Sequence, residues 1–229
     1  MNFLKHYSRK LGFAYSLVAV SDQAVERQSL TPGEERQLAS LRNPGRRRDW
    51  LAGRLAAKKA SEKMFRSPDR EVLNRDSGQP YFSGRPDFSL SITHNRGFAL
   101  ALVCRQVVGV DMEWIEPRPL SFNHYFLSSS EQAALEGKPD REEAVTLYWT
   151  RKEAVAKALG LGGAIAFKSI DTTADRIRLS RWRAEFIRMY SGTMLGYGLS
   201  IAVIEEPAAG SKVMTETDRM LCRTGEVKI

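Results

Sequence analysis

Three successive runs have strand character: FSLSITHN at 88–95 and the DMEW end of QVVGVDMEW at 106–114 alternate apolar with polar residues, and GFALALV at 97–103 between them is apolar throughout. Short turns separate them, so they read as three adjacent strands. Upstream the period lengthens. Residues 34 to 66 read as two helices broken at Asn43-Pro44-Gly45, since proline and glycine together interrupt a helix. In the second of these helices Trp50, Arg54 and Lys58 lie four apart and share a face. The intervening RDSGQPYFSGRPD reads as a turn-rich loop. Beyond Pro117 and Pro119 the pattern is helical again, at 129–136 and 141–159, and RIRLSRWRAEFIRMY and GYGLSIAVI read as strands. The first twenty residues read as an N-terminal strand, and the polar tail after Pro207 as poorly packed. The expected class is α+β.

One spacing recurs. Trp50 and Lys58 overlie Trp149 and Lys157 at an offset of 99 positions, and the run from Gly97 overlies the run from Gly196 at the same offset. Two separate segments sharing one offset point to a duplicated α+β unit. The predicted halves are 1–108 and 109–229, with the seam near 105–118.

Composition narrows the class without choosing a function. The chain has 229 residues, 42% hydrophobic and 27% charged, with a formal net charge of +8 and a pI near 9.6. That balance suits a soluble globular chain with anionic partners, whether nucleic acid, a phosphorylated small molecule or an acidic protein. No apolar run reaches the ~18–20 residues that span a bilayer. The basic start followed by a short apolar stretch lacks a clear cleavage site, and Asp22 and Glu26 follow it. Cys104 and Cys222 form no disulfide framework or metal spacing, so a reducing cytoplasm is expected.

The chemistry concentrates in three places. In VVGVDMEW, strand alternation puts Asp111 and Glu113 on one face. Two neighbouring carboxylates fit a hard divalent cation such as magnesium, or they are solvated where the strand leaves the core. In WTRKEAVAKALG, Glu153 and Lys157 stand at i and i+4, where a surface ion pair contributes only ~0.3–0.5 kcal/mol. Trp149 on the same face instead favours a partly buried Glu153 acting as metal ligand or general base, with Lys152 and Lys157 as phosphate-binding charges. In SITHN, His94 is either a structural histidine or a phosphate contact. Arg54, set among small apolar residues, is more informative than the Arg46–Arg48 run, which reads as a solvated basic patch.

Taken together, WLAGRLAAKKA, the Gln79-Pro80 loop, SITHN, GVDMEW and WTRKEAVAKALGLG resemble the 4'-phosphopantetheinyl transferases, specifically their larger pseudo-dimeric type. The matching pieces span residues 50 to 163, and G-V-D-x-E with W-x-x-K-E-x-x-x-K some forty residues later is the specific pair. The resemblance implies two similar subdomains related by pseudo-twofold symmetry, with the active site at their interface. It implies a holo-[acyl-carrier-protein] synthase type of reaction: the 4'-phosphopantetheine arm of coenzyme A passes to a carrier-protein serine, with Mg2+ or Mn2+, releasing adenosine 3',5'-bisphosphate. Asp111, Glu113 and Glu153 would hold the metal, and Glu153 or metal-bound water would take the serine proton. Lys157 would neutralise the phosphoryl group, Lys152 would contact a phosphate, and Arg54, Thr93 and His94 would bind the nucleotide end. Gln79 stands where the family often has lysine, and Thr93 where it usually has serine.

The partners implied are coenzyme A and an acyl or peptidyl carrier protein, with no nucleic acid and no membrane, acting on a cytoplasmic monomer. The carrier footprint is expected around Phe122–Leu127 and the helix of Glu153, although FNHYFL also reads as a core-packing helix start. Two other functions compete. A nucleic-acid-binding protein would use the basic surplus but leave Asp111, Glu113 and Glu153 unexplained. A catalytically inactive relative would leave Lys157 and the acids without a task.

Overall fold

The computed structural model describes residues 2–20, 30–65, 71–161, 165–178 and 186–205. The tail after Pro207 and Trp182 lie outside them. The chain opens with α1 (Asn2–Leu11), where the sequence reads as strand, followed by β1 (Ala14–Ala19). Phe3, Leu4, Tyr7 and Leu11 recur at helical spacing and pack onto the core, while Lys5, Arg9 and Lys10 take the other face. The helical period here is short enough to be lost beside the apolar strand that follows.

Next come α2 (Pro32–Ser40) and α3 (Pro44–Phe65), parted where the proline and glycine predict. Thr31 caps α2 through a reciprocal capping box with Glu34. Asn43 accepts from the Arg46 N–H at the start of α3. The turn-rich loop contains a small hairpin, β2 (Val72–Asn74) with β3 (Pro80–Phe82). Then follow β4 (Ser89–Asn95), β5 (Phe98–Cys104) and β6 (Val108–Trp114), the three strands the sequence predicts. The remaining elements are α4 (Leu120–Phe126), α5 (Ser129–Ala134), α6 (Arg141–Leu159), β7 (Arg176–Arg178), β8 (Phe186–Met194) and β9 (Tyr197–Glu205).

Two antiparallel sheets result, ordered β1-β5-β4 and β6-β9-β8-β7. Helix α3 packs on the first through Ala52, Ala56, Ala57 and Ala60, and α6 packs on the second through Ala154, Val155 and Ala158. Small residues let each helix lie close to its sheet. Gly109 is the extreme case: a Cβ there would collide with the Ala154 carbonyl and the Ala158 N–H. The other faces of both sheets share one core, with Leu100 and Leu102 from β5, Val110 and Met112 from β6, and Leu199 and Ile201 from β9.

The two units use matching devices. The β4–β5 and β8–β9 turns sit 99 positions apart, and both carry two positive-φ residues, Arg96-Gly97 and Leu195-Gly196, as a tight hairpin requires. Each unit also has a capping-box glutamate that accepts from a distant backbone N–H and from a helix lysine. Glu34 takes Val72 and Lys58; Glu131 takes Thr172 and Lys152. By that device Lys58 matches Lys152, not Lys157, so the offset of 99 describes the hairpins and not the helices.

Candidate active site

The sheets meet along β4 and β6 without a backbone ladder. One face of β4 presents Ser89, Ser91, Thr93 and Asn95, a consequence of its period of two. Their side-chain oxygens accept from the backbone N–H groups of Val108, Val110, Met112 and Trp114 at 3.2, 2.9, 3.3 and 3.1 Å. This polar rail fixes β6 in register against β4, and β6 carries the acids on its α6 side.

Asp111 is 3% exposed. Its Oδ1 accepts from the Thr93 hydroxyl at 2.9 Å and from the Lys157 ammonium at 2.7 Å. Its Oδ2 is buried with no hydrogen-bond partner. Glu113 accepts from Asn95 Nδ2 at 2.8 Å and from Arg118 at 3.2 Å. Burial, then the neighbouring Asp111 charge, raise its pKa. Glu153 on α6 is shifted further, to about 7, by burial first and then by Asp111, with Lys157 opposing and Glu113 adding. The three carboxyl groups are thus close enough to disfavour one another's charge. Among the described residues, no three His, Cys, Asp or Glu side chains close on a common point as a metal cage would. Asp111 and Glu113 instead hold cations of the protein, Lys157 and Arg118.

A cavity of about 400 Å³ is walled by Arg46, Asp49, Trp50, Arg54, Asn74 and His94, and its His94 is near enough to Asp111 and Lys157 to feel their charge. Arg54 stacks 4.1 Å over the Trp50 ring and donates to Asn74 at 2.7 Å. Its Nε has no partner, and burial lowers its pKa to about 10. His94, at the open side, is 3.7 Å from Asp49. Desolvation pulls the imidazole pKa down; Asp49 opposes this and Lys157 adds to it. Arg54 and His94 therefore line one cavity with Arg46 and Asp49, and of the predicted nucleotide residues they alone are among its lining.

Thr93 is buried and spends its hydroxyl on Asp111 and on the Met112 N–H. Lys152 is placed elsewhere. It is fully buried, donates to the carbonyls of Phe167 and Ile170 at 2.7 and 2.6 Å, and pairs with Glu131 at 2.8 Å. With three acceptors around it, it is a structural cation under α6 and not a phosphate ligand. The arginine run divides likewise: Arg46 lines the cavity, while Arg47 donates to the carbonyls of Leu38 and Leu41 at the end of α2. Gln79 lies against Gly160, the left-handed cap of α6. Sequence reasoning missed Asn95, Arg118 and Asp49. Only the alternation of β4 marks Asn95, and no local pattern marks the other two.

The 4'-phosphopantetheinyl transferase N-terminal domain matches residues 34–104, and the 4'-phosphopantetheinyl transferase superfamily matches residues 107–198. The two matches meet where β5 gives way to β6. Among curated relatives, the 4'-phosphopantetheinyl transferase psf-1 of Bacillus pumilus is 23% identical over 79% of this chain and 81% of its own. The holo-[acyl-carrier-protein] synthase of Geobacillus kaustophilus is 35% identical over 35% of this chain and 70% of its own. A solved holo-(acyl-carrier-protein) synthase from Bacillus anthracis, in complex with CoA, is 27% identical, covers 41% of this chain and 93% of its own, and superposes with a TM-score of 0.35. With Asp111 and Glu113 on β6, the Glu153–Lys157 helix and both halves matched in sequence, the chain belongs to the 4'-phosphopantetheinyl transferase superfamily.

Proposed function

We propose that this protein transfers 4'-phosphopantetheine from coenzyme A to a serine of an acyl or peptidyl carrier protein, releasing adenosine 3',5'-bisphosphate. The observation that carries the reading is Asp111: a buried carboxylate with one oxygen held by Thr93 and Lys157 and the other without a partner. It sits near two further acids and near His94 of the cavity. Residues 1–108 form the nucleotide-binding half and 109–229 the metal-binding half, related by a pseudo-twofold axis in a cytoplasmic monomer.

The donor set fits a hard cation, because all three candidate ligands are oxygens and one of those oxygens is buried and unsatisfied. Asp111, Glu113 and Glu153 would hold Mg2+, with Mn2+ as a substitute. When bound, the metal neutralises and orients pyrophosphate oxygens. Arg54 and His94 take the nucleotide end, with His94 at the 3'-phosphate. Lys157, released from Asp111, neutralises charge on the phosphoryl group. Glu153, with a pKa of about 7 before a cation binds, is suited to accept the serine proton. The serine Oγ–phosphorus bond forms as the pyrophosphate bond breaks, and the bisphosphate nucleotide leaves.

Mass spectrometry of an apo carrier protein incubated with the enzyme, coenzyme A and magnesium tests this directly. The carrier should gain one phosphopantetheine, and neither excess chelator nor Asp111→Ala should allow it. Undiminished transfer in chelator would overturn the metal assignment; no transfer to any of a panel of apo carriers would overturn the function.

A further inference from the structure

Asn95 makes two contacts with β6 at once. Its Oδ1 accepts from the Trp114 N–H at 3.1 Å, continuing the rail formed by Ser89, Ser91 and Thr93. Its Nδ2 donates to Glu113 Oε2 at 2.8 Å. The first contact orients the amide: with Oδ1 committed to a backbone N–H, Nδ2 is left to face the carboxylate. Thr93 does the same for Asp111 one pleat earlier, accepting from Met112 and donating to the acid. A hydroxyl suffices there because the aspartate is short; the longer amide serves the residue whose carboxylate stands further from the strand. Arg118 reaches the same Glu113 oxygen from the following loop at 3.2 Å, so Oε2 takes both donors and Oε1 remains for a ligand.

We propose that Asn95 is a positioning residue for metal binding. It belongs to the nucleotide-binding half, yet it presets the Glu113 carboxylate of the other half so that Oε1 turns toward Asp111 and Glu153. This rests on Glu113 being a metal ligand, as in the proposed function. The physical expectation is that removing such an outer hydrogen bond costs about 10- to 100-fold in metal affinity without touching the metal. A residue that merely fastened β4 to β6 would cost stability instead.

Mn2+ titration of the full chain followed by electron paramagnetic resonance separates these roles, with melting temperature read in parallel. Asn95→Ala should raise the half-saturating Mn2+ concentration about tenfold or more. Glu113→Gln should weaken binding too, and Asn95→Ala should add almost nothing in the Glu113→Gln background, because the charged carboxylate it orients toward the metal is gone. The lowering of melting temperature by Asn95→Ala, from the lost Trp114 contact, should be the same in both backgrounds. Unchanged Mn2+ binding in Asn95→Ala, or losses that add across the two substitutions, would overturn the positioning role while leaving the metal site standing. If Glu113→Gln binds Mn2+ as well as the unsubstituted protein, Glu113 is no ligand and the metal reading falls with the proposal. Should Asn95→Ala not fold, Asn95→Gln retains an amide that can donate to Glu113 and must bind Mn2+ more tightly than Asn95→Met.

Discussion

Glu153 illustrates how a single residue carries the cost of the site. Its carboxyl is half-buried, and its pKa rises from an ordinary 4.5 to about 7, chiefly through burial. The folded state therefore binds this proton more tightly than the unfolded chain does. The resulting stability is fully present below about pH 4.5 and is lost as pH rises through about 7. Glu153→Gln keeps the shape and abolishes the ionisation. In chelator, the variant should gain stability relative to the parent as pH goes from about 5 to 8, by on the order of 2–3 kcal/mol at ~1.4 kcal/mol per unit. Thermal melts across that range check it, and a pH-independent gap between the two proteins would refute the shift. Lys152 is the opposite case. Burial lowers its pKa, yet two backbone carbonyls and the Glu131 carboxylate hold it, so it belongs to the scaffold.

At the scale of elements, α4 combines two faces that its sequence does not separate by composition. Phe126 is fully buried against Phe122, Trp149 and Phe167, so the core-packing reading of this residue holds. Tyr125 and Leu120, on the same helix, are 62% and 66% exposed. Because Trp149 also stands on α6 one turn before Glu153, α4 ties its exposed face to the helix that carries Glu153. Phe126→Ala should cost about 3–5 kcal/mol and lower the melting temperature by on the order of 10 °C. Tyr125→Glu should leave melting and coenzyme A affinity unchanged but raise KM for carrier protein several-fold, if this face receives the carrier. Steady-state kinetics with carrier as the varied substrate decides that: an unaltered KM would remove α4 from the footprint.

Across the whole molecule, the net charge of +8 bears on how the partner arrives. A basic surface attracts an acidic carrier over distances comparable with the ~8 Å screening length at physiological ionic strength. Raising salt from about 0.05 to 0.5 M should therefore lower kcat/KM for carrier while leaving kcat at saturating carrier nearly constant. An equal fall in both would place the charge dependence in the chemical step. The shared core under both sheets makes a second whole-molecule point: the acids on β6 depend on β4 from the other unit, so the site requires both halves docked. Among the described residues, no helix is long and apolar enough to cross a membrane.

The strand character of 88–114 and the breaks at Asn43-Pro44-Gly45 and Gly160 are local properties, and the elements follow them because backbone geometry alone converts such patterns into strands and helices. That Asp111 shares a face with Glu113, and Glu153 with Lys157, is legible for the same reason, because strand and helix periods set it; the ion pair of Lys157 is made across elements, with Asp111. Other features were not legible, because they depend on which faces meet. Lys152 and Lys157 are both lysines of one helix, and only the packing of α6 decides that the first is entombed with Glu131 while the second reaches Asp111. The N-terminal helix was hidden because its apolar stripe matters only once a sheet core exists to cover. The roles of Thr93 and Asn95 appear only where β4 meets β6, since hydrogen bonds between residues 18 positions apart leave no periodic trace, and that of Arg118 only where the loop after β6 folds back five positions onto Glu113. Sequence alone thus determined the chemical inventory and the local elements; tertiary contact decided which charges were buried, paired or left free to act, because desolvation and partnership exist only after the faces have met.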